Sequence, residues 1–125
     1  MKSKIMRAIT QKLKQIEPAA AIYEDSVMQS SKDFYFVLSV EPAGTENVGI
    51  NVQNKAFLVD IALVDNKPNK NLINEKVSQC EAFFNVIEID NNQIFPEDYM
   101  PDKTDGVQHI RFTVAFPQYI EWSES

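Results

Sequence analysis

The stretch 33–65, DFYFVLSVEPAGTENVGINVQNKAFLVDIALVD, decides the fold. Phe34, Phe36, Leu38 and Val40 recur every second residue, with Tyr35, Val37 and Ser39 between them. Strand side chains alternate between faces, so this period predicts a strand. The return run alternates in the same way. Phe57, Val59, Ile61 and Leu63 share one face; Leu58, Asp60, Ala62 and Val64 share the other. β-Branched and aromatic residues dominate both runs, as a pleated, half-buried surface favours. Pro42, Gly44 and Gly49 punctuate the segment between them, which reads as a polar loop of about seven to nine residues, longer than the usual 2–5. The polar run 51–55 predicts a second strand that projects past its partner, with unpaired edges that tend to be covered by another chain.

The rest of the chain is read as cover for this hairpin. Ile5, Ile9, Leu13 and Ile16 form one stripe of an amphipathic helix over 2–16, ended by Pro18. Its lysines lie mostly off the stripe and read first as a solvated face; docking on an acidic partner is the functional alternative. A short strand is expected over 19–23, then a polar loop over 25–31. After a turn around Pro68, Leu72, Ile73, Val77, Cys80 and Phe84 mark a second helix over 70–84, with Asn69 or Asn71 available as its cap. Short strands are expected over 86–89 and, pairing briefly, over 93–96. Residues 97–105 read as an acidic loop. Ile110, Phe112, Val114 and Phe116 line one face of a last strand over 107–116. The tail 117–125 carries Tyr119, Ile120 and Trp122, which either fold back on the core or dock on a neighbour. The expected class is α+β: two layers, with a mainly antiparallel sheet built on the long hairpin (33–64) and two helices (2–16 and 70–84) packed on it. At 125 residues the length predicts one domain over 1–125.

Composition narrows the function classes. One cysteine excludes an internal disulfide, and Cys80 sits on the apolar stripe of the second helix, where it reads as a small core residue. The N-terminus has no continuous apolar core for a signal peptide. No run approaches the ~18 apolar residues of a membrane-spanning helix. Five of the 12 basic residues precede Glu17, leaving seven against 18 acids, a balance of −11. So acidic a surface is a poor grip for nucleic-acid phosphates. It suits the wall of a channel through which DNA passes without sticking.

Reaction chemistry is hard to find. Phosphate-loop, dinucleotide, nucleophile-elbow and C-x-x-C motifs are all missing from the sequence. The acids of 97–105 lack the calcium-loop spacing and its central glycine. His109 is the single histidine, so no zinc pair exists, and beside Arg111 on the outer face of the last strand it reads as a surface residue. No catalytic residue, cofactor site or metal site is assigned. Phe83, Phe84 and Phe95 could line a small apolar pocket, but such residues are more often plain core.

The order of elements resembles the phage tail terminator family of phages and prophages of low-GC Gram-positive bacteria. Three stretches carry the resemblance: AAAIYEDSVMQSSKDFYFVLSV (19–40), NKAFLVDIALV (54–64) and DGVQHIRFTVAF (105–116). Gln108 stands where the family pattern has an apolar residue. The resemblance implies a structural, non-enzymatic protein without cofactor. Such proteins cap the head-proximal end of the tail tube as a ring, usually a hexamer. They stop tube growth and present a surface for the head–tail connector, and in contractile tails they also touch the sheath. It implies assembly in the host cytoplasm, residence in the virion tail or a phage-tail-like particle, no membrane, and DNA only in the lumen. Contacts to neighbouring copies or to the tube are expected from the hairpin tip (Glu41, Thr45, Glu46, Asn47, Asn51 and Gln53), the acidic loop (Tyr99 and Met100) and the tail (Tyr119 and Trp122). Two other readings remain: a different head–tail joining or tail-completion protein, and a small cytosolic ligand-binding module.

Overall fold

A computed structural model of the chain describes residues 2–18, 20–24, 34–49, 52–65, 70–89, 91–104 and 107–119. The elements run α1 (Lys2–Ile16), β1 (Ala21–Glu24), β2 (Phe34–Gly49), β3 (Val52–Asp65), α2 (Lys70–Phe83), β4 (Ile87–Ile89), β5 (Asn92–Ile94), β6 (Glu97–Thr104) and β7 (Val107–Tyr119). Five strands form one sheet in the order β1-β2-β3-β7-β6, and β4 with β5 forms a small separate ladder. β1 joins β2 in parallel; every other pair is antiparallel. This is the expected α+β class, with a mixed rather than uniform sheet.

The expected hairpin is present, but its loop is not. β2 and β3 stay paired from Phe34↔Asp65 out to Gly49↔Val52, through register shifts between Pro42 and Gly44 and between Asn47 and Gly49. Gly44 sits beside the first shift at φ +152°, a conformation that side-chain-bearing residues rarely adopt. Nor does β3 project alone, because β7 lies along it from Leu63↔Gln108 to Val52↔Tyr119. Two further expectations need correction. Residues 97–104 are a strand pairing with β7, not a loop, and the last strand runs on through Pro117 to Tyr119 instead of ending at Phe116.

The core lies on one face of the sheet. Phe36, Leu38 and Val40 of β2, Phe57, Val59, Ile61 and Leu63 of β3, and Ile110, Phe112 and Val114 of β7 are buried there. Against them pack Ile5, Ile9, Leu13 and Ile16 of α1, Cys80 of α2, and Phe84 just beyond it. Phe84 and Tyr99 flank Phe112, with ring centroids 5.4 and 6.1 Å away. Burial pushes the Cys80 thiol up to about 12, partly opposed by the charge of Lys76. It is therefore a neutral core residue at physiological pH, as its position on the helical stripe implies. The second helix begins at Lys70, so Asn71 lies inside it and cannot be its cap; Asn69 and the turn around Pro68 are outside the described residues, as is the loop 25–31.

The two helices are tied at one point. Lys76 is buried in α2, donates from Nζ to the carbonyl oxygen of Ile16 at 3.2 Å, and pairs with Glu17 at 3.2 Å. An ammonium at the last turn of α1 meets both an otherwise orphaned carbonyl and the negative end of the helix dipole. Replacing it with an apolar side chain strands that carbonyl in a dry place. Lys76→Met is expected to cost about 2 kcal/mol. Urea unfolding would show it as a lower midpoint with unchanged slope.

Candidate interaction surface

Most described core residues lie on one face, although Tyr35 and Ala62 are buried on the other, and that other face carries a different population. Tyr23, Tyr35, Val37, Ser39, Leu58, Asp60, Ala62, His109, Arg111 and Thr113 stand on it, by strand alternation and register. Tyr23 and Tyr35 meet edge to face, ring centroids 5.4 Å apart. At the centre, three strands contribute a charge network. Asp60 lies opposite Arg111 in the β3–β7 register, and Asp102 lies opposite His109 in the β6–β7 register. Their diagonal neighbours complete the set. Arg111 donates from Nε to Asp60 Oδ2 at 3.0 Å and from Nη1 to Asp102 Oδ2 at 2.8 Å. His109 Nδ1 donates to Asp60 Oδ1 at 2.7 Å, since a carboxylate only accepts. Gln108 adds donations from Nε2 to the carbonyl oxygens of Asp102 and His109, at 3.1 and 3.0 Å. The hydrogen bond to Asp60, then the carboxylate charges of Asp60 and Asp102, hold the Arg111 guanidinium charged more firmly than usual.

His109 is therefore not the free surface residue that its strand position suggested. Its side chain is 19% exposed and committed to Asp60. Chemically the network fixes three strands to one another. No candidate metal cluster occurs among the described residues.

The expected contact residues fall into four groups. Glu41 and Met100 have exposed side chains, Met100 at 56%. Thr45, Glu46, Asn47 and Gln53 are not a loop tip: they occupy paired positions, Thr45↔Lys55, Glu46↔Asn54 and Asn47↔Gln53, and Tyr119 pairs with Val52. Tyr99 is half-buried against Phe112, and burial, then the charges of Cys80 and Glu81, raises its phenol. Asn51 and Trp122 lie outside the described residues. The sequence reading missed Phe95, which is 66% exposed and so lines no interior pocket with Phe83 and Phe84. Its neighbours Pro96 and Glu97, polar punctuation just before a new strand, were the available signal.

Beyond Val40, Phe57 and Val114 the described core stops, yet β2, β3 and β7 continue side by side to Gly49, Val52 and Tyr119. The result is a three-stranded arm extending from the packed body. A family model described as phage tail terminator protein matches residues 4–125.

The chain belongs to the phage tail terminator family.

That membership makes it a phage tail assembly protein and a component of the tail. A solved structure carrying no functional name superposes with a TM-score of 0.51 at 14% identity, covering 99% of this chain and 99% of that one. At that identity the likeness concerns the fold. No curated protein matches. No described helix is long and apolar enough to cross a membrane.

The charge network gives this surface a measurable signature. Asp60→Ala removes the shared acceptor of His109 and Arg111, and is expected to cost about 1–2 kcal/mol, discounted for partial exposure. Part of that loss should disappear in high salt, because the network is only half-buried. Urea titrations of both proteins at two ionic strengths provide the check.

Proposed function

We propose that this tail terminator family member caps the head-proximal end of a tail tube as a ring of copies, acting by shape and not by catalysis. The observation that carries the reading is the family match over residues 4–125. The three-stranded arm fits it physically. A ring closes through a head-to-tail interface, in which different patches of one subunit meet. An arm that leaves the core offers such a patch without exposing the core itself.

In this reading the ring stops tube growth and presents its free side to the head–tail connector, and to the last sheath ring where the tail contracts. Exposed Met100 and Phe95 and the arm positions Thr45, Asn47 and Gln53 contribute contacts to neighbours or to the tube. The acidic balance lets DNA pass through the lumen, since like charge opposes adhesion to the wall. The protein assembles in the host cytoplasm and needs no cofactor.

Light scattering across a concentration series tests this, first on the protein alone and then with tubes assembled from the tube protein of the same phage or prophage. The expected result is one discrete ring mass, alone or only when tubes are present. A monomer indifferent to tubes at every concentration contradicts the proposal.

A further inference from the structure

The three strand prolines reveal which way the sheet edges face. Pro42 lies in β2 beyond the last β1 pairing at Leu38. Pro101 lies in edge strand β6, and Pro117 lies in β7 beyond the last β6 pairing at Thr113. In an antiparallel ladder, opposite residues either both turn their backbone groups towards each other or both turn them away, and the choice alternates along the strand. Pro42 is opposite Phe57, Phe57 is opposite Val114, and Pro101 is opposite Ile110. Following that alternation across the sheet gives all three prolines the same orientation. Either all face inward and three ladder bonds are lost, or all face outward and none is. Outward is the orientation proline adopts in sheets.

This fixes the neighbouring residues. On β2, Val40 faces outward before the register shift; after it, Thr45 and Asn47, opposite Lys55 and Gln53, face outward too. On β7, Ala115 and Tyr119 face outward, while Val114, Phe116 and Gln118 face β3. Among the described residues, no strand lies beside either of these edges. Each edge thus carries outward N–H and C=O groups at two-residue spacing, with a proline contributing only its carbonyl. Exposed edges of this kind are templates for another strand.

The two edges also match in direction. β2 and β7 are each antiparallel to β3, so they run parallel to each other. A rotation about an axis along the arm keeps strand direction and brings β7 of one copy beside β2 of the next. We propose that the β7 edge at 115–119 pairs in parallel with the β2 edge at 45–47 of a second copy, so that the arms of successive subunits form one continuous sheet around the ring. The occupant is another copy because each edge supplies the complement, with the right polarity, that the other lacks. The proposal rests on the ring reading above and specifies its interface.

Hydrogen exchange resolved to single residues by fragmentation mass spectrometry tests it, comparing the isolated chain with the chain assembled on tubes of the cognate tube protein. The amides of Thr45, Asn47, Ala115 and Tyr119 should exchange fast in the isolated chain and slow by about 100-fold or more on assembly. The inward amides of Glu46, Phe116 and Gln118 should be protected in both states and serve as the internal control. A ring that forms while the outward amides keep their fast exchange overturns the edge pairing and leaves the ring reading intact. Protection of one edge only, or protection already present in the isolated chain where it is monomeric, overturns it as well. Failure to assemble at any concentration with tubes removes the ring reading itself.

Discussion

The structure depends on the pairing of β3 with β2 from Val52 to Asp65 and with β7 from Val52 to Leu63. Neither long neighbour pairs with the other, so β3 is the strand that joins the β1–β2 side of the sheet to the β7–β6 side. It satisfies its own backbone on both sides and is buried on one face by Phe57, Val59, Ile61 and Leu63. Such continuous pairing is what allows three strands to run on past the last described core residues, Val40, Phe57 and Val114. An isolated two-stranded hairpin is marginal in water, whereas a third strand makes the ribbon more secure.

Around this spine the two faces have separate tasks. One face is dry, holds the helices, and is locked by Lys76 against the end of α1. The opposite face is held by charge: Arg111 bridges Asp60 and Asp102, and His109 joins Asp60. The apolar face stabilises the fold mostly through burial. The charged face adds less net energy and contributes register, because a slip by one residue would bring each of these side chains to the wrong face. In the proposed ring, where the edges of one subunit meet those of the next, strands that cannot slide would be an advantage.

Much of the fold was legible in the sequence. The alternation of Phe34 to Val40 and of Phe57 to Val64, and the helical stripes of Ile5 to Ile16 and Ile73 to Phe84, correspond to the observed elements. The errors share a cause. Segments 42–49, 97–104 and 117–119 contain Pro, Gly, Asn and acids, all poor strand formers, and so read as loop or tail. They are strands nevertheless, because an edge tolerates a proline whose missing N–H faces away from its partner. The hydrogen bond of His109 was invisible for a different reason: Asp60 is 49 residues away, and only the register of β3 on β7 brings the two together. Nothing local in 107–116 signals that. The described contact residues expected at the hairpin tip lie in a paired ribbon rather than a loop, so backbone edges as well as side chains are present there.

The central claim is that this protein ends a tail tube. The direct measurement is tail length by electron microscopy, in particles produced with and without the gene for this chain. The account predicts tubes of uniform length with it and overlong tubes lacking heads without it. Tubes of normal length joined to heads in its absence would contradict the account.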